Sequence, residues 1–506
     1  MSRSEDGRRP GRSGLGEPGR LAVFATAAAV LAIVLVDFFP YADAVNHLAR
    51  YRLIGEAFAG SAESWFSFRI YPSGYILGDL VGVTLVSVLP AMVVGRIIAI
   101  VAILTLCAGT LFALRRLGSA GWWAAVVVPV LTLNWYFFYG FFNYLVALGL
   151  ALGFLAWWVG KLGSVKPRDL ALGSAGILAL STLHLSAVAV VLVCVWTSAG
   201  IRTIGVPVEG AEKEQRRWHL WVAPMVFAAL FFGYLELGDL VAASQIPTAA
   251  VPPNEFRSIP QKLVQFFSPF YSFSLEQGAV MVAAYGGAVL LGLVGWVRRP
   301  KLSHPLIWGL ALFAVYLVFP VRFQGAYDAD VRFLLPAYIL LLVGLVPSAT
   351  PPRWVLRGLT GVVVVHVALV FLHMRAIDQD LAAYMDVLDQ VPAEAAVVAL
   401  NGSPSIGRVD PARFFEHWHV ARKGGKAPGL FNGEEHGGHM MHFRIDEHLR
   451  YALDTWDPQL QPINWPRLGE YYDYVITVGS GEDVDDPPAE WDRAASNHFV
   501  SLYRRR

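Results

Sequence analysis

The stretch Asp37-Phe-Phe-Pro-Tyr-Ala-Asp43-Ala-Val-Asn46-His47-Leu-Ala-Arg50-Tyr-Arg52 decides how this chain is read. It follows the first long apolar run, Leu21 to Val36, and many more such runs come after it. In a chain dominated by membrane-length apolar segments, ionisable groups are costly unless paired or used. Asn46, His47 and Arg50 follow Asp43 by three, four and seven positions, so a helix gathers all four on one face. Three readings of Asp43 stay open: the cap of a helix starting near Ala44, an ion-pair partner of Arg50 on the same face, and a general base.

The composition agrees with a membrane protein. The chain has 506 residues, of which 55% are hydrophobic and 16% charged, and its mean hydropathy is +0.48. Soluble domains carry about 25% charged residues. A net charge of +1 argues against a nucleic-acid partner. Both cysteines, Cys107 and Cys194, lie in apolar runs and read as small core residues. The sixteen Trp and thirty Phe suit interfacial belts and helix packing.

A helix needs about 20 mainly apolar residues to cross a bilayer. Segments 21–37, 96–114, 122–138, 144–160, 169–183, 185–200, 218–237, 279–297, 304–320, 333–348 and 354–373 meet this pattern, giving about eleven spans. Segment 75–94 is also apolar. If it stays outside as an interfacial or re-entrant helix, Arg115-Arg116, Lys161/Lys166/Arg168, Lys213/Arg216/Arg217, Arg298-Arg299/Lys301 and Arg353/Arg357 all fall on the side of the Arg-rich N-terminus. The excess of cytoplasmic Lys and Arg in short loops favours that arrangement. The expected organisation is therefore a basic cytoplasmic tail (1–20), a transmembrane region (21–374) with an external loop over 38–95, and an extracytoplasmic region (375–506). The expected location is the inner (plasma) membrane. Around His184 two short runs form either one long helix or a hairpin.

This topology leaves Arg50, Arg52, Arg69, Arg257, Arg322 and Arg332 outside, against the sign rule, which makes them candidates for binding phosphate. The motif Asp328-Ala-Asp330-Val-Arg332-Phe-Leu-Leu-Pro336 opens a span from outside. It reads equally as a capped helix start or as a phosphate clamp in which Asp330 fixes the Arg332 fork. His184 lies among apolar neighbours, either as a packing residue or at a site. Asp37 ends the first helix at the interface, and Asp79 is either a pocket or an interfacial residue.

After His373 the composition turns polar. Residues 376–391 read as a helix, and 395–400, 474–478 and 499–503 as strands of a small α/β domain. His436-Gly-Gly-His439-Met-Met-His442 is a weak metal candidate, because no complete zinc signature accompanies it; local hydrogen bonding is the plainer reading. No cofactor is expected. No phosphate-binding loop, dinucleotide glycine pattern or nucleophile elbow occurs.

Asp43 soon after the first span, the Arg96 to Arg116 span followed by Leu117-Gly-Ser-Ala-Gly-Trp, and Arg332-Phe-Leu-Leu-Pro336 together resemble the GT-C superfamily of polytopic membrane glycosyltransferases. That family includes protein O-mannosyltransferases and lipid A aminoarabinose transferases. The Asp43 to Arg50 pattern, Asp-x-x-Asn-His-Leu-Ala-Arg, looks closest to uncharacterised bacterial members. The resemblance implies a mainly α helix bundle with a small extracytoplasmic α/β domain. It implies a sugar donor on a polyprenyl phosphate and an acceptor glycan, lipid or protein used outside the cytoplasm. Carried over, Asp43 is the base and Arg332 the phosphate ligand, while Tyr41, His47, Arg50 and His184 line the cavity. The chain departs from some members in having a single acid in the motif and no strict Asp-x-Asp, which puts metal dependence in doubt. Two rival readings are a lipid-linked glycan transporter or flippase and an inactive scaffold of envelope-glycan assembly.

Overall fold

The computed structural model describes residues 17–38, 42–60, 66–68, 72–117, 122–162, 165–208, 219–243, 254–298, 302–323, 327–345, 351–401, 408–428, 441–443, 464–478 and 487–506. The helices are α1 (Glu17–Val34), α2 (Ala42–Phe58), α3 (Ile76–Val86), α4 (Ala91–Leu117), α5 (Val128–Thr132), α6 (Trp135–Tyr139), α7 (Phe142–Val159), α8 (Pro167–Leu183), α9 (Leu185–Thr203) and α10 (His219–Ala243). They continue with α11 (Ile259–Gln265), α12 (Leu275–Arg298), α13 (His304–Val318), α14 (Leu334–Leu345), α15 (Arg353–Leu388), α16 (His417–Lys423) and α17 (Trp465–Tyr471).

Among the described residues six helical stretches are long and apolar enough to cross a membrane: Ala91–Leu117, Phe142–Val159, Leu185–Thr203, Trp221–Gly238, Leu275–Arg298 and Arg353–Leu388. Shorter apolar helices accompany them. Each of the eleven expected spans carries helix, and the protein is a mainly α, multi-pass membrane protein. Segment 75–94 holds only the eleven residues of α3 before a break at Ser87 to Pro90. At 1.5 Å per residue α3 rises about 16 Å, half the hydrocarbon thickness.

Segment 122–138 departs from the expected single helix. It runs as a 3-10 helix (Trp122–Val127), then α5, then α6. Pro129 sits at the start of α5, and the Asn134 side chain accepts the Phe137 N–H to begin α6 afresh. Residues 123–138 are all buried. Broken backbone is tolerated at membrane depth where protein surrounds it. Around this core α4 and α7 meet backbone to backbone: a Cβ on Gly149 would stand 2.4 Å from the Thr105 carbonyl oxygen. Small residues permit that approach between membrane helices.

α8 and α9 form a hairpin. His184 lies between them in extended backbone (φ −167, ψ 119), and the helices pack on each other.

The expected break between the last span and the tail helix is absent. α15 is one helix of 36 residues, Arg353–Leu388. Its C-terminal half carries a sheet with strand order β2-β4-β6-β5. The strands are β2 (Val397–Asn401), β4 (Tyr474–Val478), β5 (Trp491–Ser496) and β6 (Val500–Arg505), with β2 parallel to β4 and the other pairs antiparallel. Strand β5 is an addition to the sequence expectation. Period-2 alternation splits the sheet. Val397, Ile476, Val478, Val500 and Leu502 join the core that includes Leu381 and Tyr384 of α15, while Val398, Leu400, Val475 and Tyr503 pack with Trp465, Leu468 and Trp491. This C-terminal domain is also tied to the first loop. β1 (Phe66–Phe68) pairs antiparallel with β3 (Met441–Phe443). α16 packs on α2, where Arg52 donates from Nη1 to the Arg422 carbonyl at 2.7 Å. Asp378 of α15 accepts the backbone N–H groups of Asp37 and Phe38 at 3.0 and 2.7 Å.

Candidate active site

Asp43 lies in the first turn of α2, inside the helix and one position after its first residue. Gly140 fixes this turn from the other side. It ends α6 with φ 92, and a Cβ there would meet the Ala44 nitrogen at 2.7 Å. Both the left-handed backbone and the close approach call for glycine. The Asp43 side chain faces a cavity of about 400 Å³ lined by Asp43, His47, Tyr75, Tyr139, Phe141, Asn143, Tyr144, His184, Arg257, Tyr327, Asp328, Arg332, Arg413 and Phe414. Burial raises the Asp43 carboxyl to about 7; Arg413 and then Arg332 oppose this rise, and Asp328 adds to it. A carboxyl near neutrality is poised to exchange a proton.

Arg332 comes from the turn Val331–Phe333 that enters α14. The hydroxyls of Tyr136 and Tyr144 donate to the carbonyls of Val331 and Arg332, pinning the backbone. The guanidinium lies 5.0 Å over the Phe141 ring, and Nη2 donates to the Tyr327 carbonyl at 3.3 Å. Its Nε is buried without a hydrogen-bond partner among the described residues. Asp330 does not fix this fork. Its carboxylate binds Arg257 Nη1 at 3.0 Å and Lys262 Nζ at 2.9 Å, and Arg257 also holds Asp328 at 2.7 Å. Lys262 is out of reach of solvent and donates to the Tyr316 and Phe319 carbonyls as well. The two acids of the motif therefore neutralise Arg257 and Lys262, leaving Arg332 without a carboxylate among the described residues.

His184 stands between Tyr75 and Tyr144, with ring centroids 5.3 Å away in each case. Its Nδ1 accepts the Ser186 N–H at 3.2 Å. In the neutral ring the proton then resides on Nε2, which is a donor.

Arg50 stands off the cavity wall. It forms an ion pair with Asp79 of α3, and both side chains are completely buried. Asp79 is thus the partner of Arg50 and neither a pocket nor an interfacial group. Of the other basic candidates, Arg257 lines the cavity, Arg52 ties α2 to the C-terminal domain, and Arg322 pairs with Glu255 at 2.7 Å. Tyr41, Arg69, His436 and His439 lie outside the described residues, and His442 falls within β3.

Sequence reasoning overlooked Arg413 and Phe414 of the C-terminal domain, as well as Tyr75 and Tyr144. The aromatic run Arg413-Phe-Phe-Glu-His-Trp-His419 in a polar tail was the available signal, since it marks a buried anchor. Phe415, His417, Trp418 and His419 are buried there. Burial raises the Glu416 carboxyl to about 8 and lowers His417 and His419 to about 4, so all three are mainly neutral at neutral pH.

No sequence-family model matches the chain, and no curated protein matches it. Solved structures do. The cryo-EM structure of arabinofuranosyltransferase AftD from Mycobacteria matches at 15% identity and TM-score 0.43 over 96% of this chain, which spans 40% of the AftD chain. The crystal structure of ArnT from Cupriavidus metallidurans bound to undecaprenyl phosphate matches at 12% identity and TM-score 0.56, covering 97% of this chain and 98% of ArnT. The apo structure of the same protein matches at 12% identity and TM-score 0.53, over 96% and 97%. The near end-to-end correspondence with ArnT shows that this chain has the GT-C fold of polytopic membrane glycosyltransferases.

Proposed function

We propose that the protein is a membrane glycosyltransferase that moves a sugar from a polyprenyl-phosphate carrier to an acceptor on the extracytoplasmic side. The observation that carries this reading is one cavity in which the near-neutral carboxyl of Asp43 shares the walls with His184 and the uncommitted guanidinium of Arg332. The fold match to a protein bound to undecaprenyl phosphate supports the carrier class.

The chemistry follows from these groups. Ionised Asp43 takes the proton of an acceptor hydroxyl as its oxygen attacks the anomeric carbon. The bond from that carbon to the phosphate oxygen breaks, and the electron pair leaves with the carrier phosphate, which gains one negative charge. Arg332 offers a planar fork to that charge, prearranged by Phe141 and the pinned backbone. His184 Nε2–H adds a neutral donor to the same wall.

The test uses purified full-length protein in nanodiscs and binding of undecaprenyl phosphate. Arg332→Ala should lose most of the binding, and Arg332→Lys should retain part, because Lys supplies charge without the fork. Unchanged binding by Arg332→Ala, with an unchanged melting temperature, removes Arg332 from the mechanism.

A further inference from the structure

The cavity holds a second arginine that the mechanism above leaves unused. Arg413 stands on segment 408–416 of the C-terminal domain and lines the same cavity as Arg332. Asp410 builds its turn by accepting the N–H groups of Ala412 and Arg413, both at 3.1 Å. Phe414 then adopts a left-handed backbone (φ 60), which is uncommon and strained for a bulky residue. Both residues line the cavity. The anchor behind them is firm, because the buried Phe415 packs on Tyr384 of α15 at 4.7 Å between ring centroids.

The Arg413 guanidinium lies over the rings of Phe414 and Tyr139 at 4.9 and 5.7 Å and donates from Nη1 to the Tyr139 hydroxyl at 2.8 Å. Among the described residues no carboxylate reaches it at ion-pair distance, although Asp43, Asp410 and Asp328 act on it through the cavity. Arginine carries five N–H donors, and among the described residues one is used. Stacking on aromatic faces leaves the in-plane donors directed at a ligand. The side chain is solvent-accessible within the cavity, whereas Arg332 is 8% exposed.

The two arginines are therefore held by different parts of the chain. Arg332 rests on the turn entering α14, to which the proposed mechanism assigns the carrier phosphate. Arg413 hangs from the C-terminal domain, which leaves it to the other substrate. We infer that Arg413, with Tyr139 and Phe414, forms a second anion subsite that takes a carboxylate or phosphate group on the acceptor. The assignment to the acceptor rests on the glycosyltransferase reading; the existence of the subsite does not.

The experiment titrates inorganic phosphate, and separately glucuronate, into the full-length protein in nanodiscs already saturated with undecaprenyl phosphate. Wild type should bind at least one of these anions with the lipid in place. Arg413→Gln should weaken that binding roughly tenfold or more, the scale of one charged hydrogen-bonded contact, and leave undecaprenyl phosphate affinity within about twofold. Arg413→Lys should recover part of the loss, and its melting temperature separates binding from folding. The stronger of the two anions identifies the acceptor group as phosphate or carboxylate. Displacement of the anion by undecaprenyl phosphate, or a loss of lipid affinity in Arg413→Gln, would mean one shared anion site and overturn the inference. Equal anion affinity in wild type and Arg413→Gln would overturn it too. Failure of wild type to bind undecaprenyl phosphate sinks the carrier reading instead, and the anion titrations still decide the subsite.

Discussion

Arg332 and Arg413 reach one cavity from two regions built on different terms. The bundle side fixes its arginine before any substrate arrives: two buried tyrosines hold the carbonyls around it and Phe141 supports the guanidinium. The C-terminal domain presents its arginine from a turn whose place depends on docking to α2 and α15. Each region also carries a residue in left-handed backbone on the cavity wall, Asp328 (φ 54) and Phe414 (φ 60). Strain of this kind persists where surrounding structure over-determines it. The difference separates a wall set by the bundle from a wall set by docking of the C-terminal domain, with Asp43 facing both.

Arg50 gives the sharpest contrast and the largest expected effect. It is an arginine on the same helix as Asp43, yet its charge is consumed by Asp79. Arg50→Met should cost about 3–5 kcal/mol, because it strands a buried carboxylate. Replacing both partners with leucine should recover much of the stability. Thermal denaturation in detergent reads both variants, and a single variant as stable as wild type would show that the pair is not structural.

Asp43→Asn is next. An amide keeps the shape but accepts no proton, so turnover should fall on the order of a hundredfold or more at unchanged expression and melting temperature. Near-normal turnover would return Asp43 to a purely structural role.

The pH dependence comes third. Burial raises the Asp43 carboxyl to about 7, and the base form predominates only above that value. The rate should therefore fall about tenfold per unit below pH 7 and level off above about pH 8. A rate flat from pH 5 to 8 is the contrary result. The smallest effect discriminates the two walls. Arg413 opposes the rise more strongly than Arg332, so Arg413→Gln should move the acid limb to higher pH than Arg332→Gln does. The reverse order would place the bundle arginine nearer to the proton-accepting group.

Periodicity made much of this legible. Apolar runs located the spans, and the sign rule kept 75–94 off the list of spans. Asp43 and His47 of α2 line one cavity with the sequence-distant His184 and Arg332. What failed was partner choice. Helical spacing puts Asp43 and Arg50 on one face, but seven positions also separate them by about 10 Å along the axis. That distance carries Arg50 to α3 and Asp79. Likewise Asp330 lies two residues from Arg332, and the chain turn gives it to Arg257 and Lys262. Arg413 stayed hidden because its position depends on the C-terminal domain folding back over the bundle, a long-range contact that local spacing does not encode.

The unbroken α15 has a mechanical consequence. Its 36 residues make a rod about 54 Å long, of which about 20 Å extends beyond the bilayer-length part. The sheet rides on that extension, so the rod works as a lever with its fulcrum in the bilayer. Membrane helices answer changes in bilayer thickness by tilting. A tilt of about 5° would swing the far end by about 2 Å, close to half the rise of a helical turn. Bilayer thickness and the placing of the sheet are thereby mechanically connected through one continuous helix.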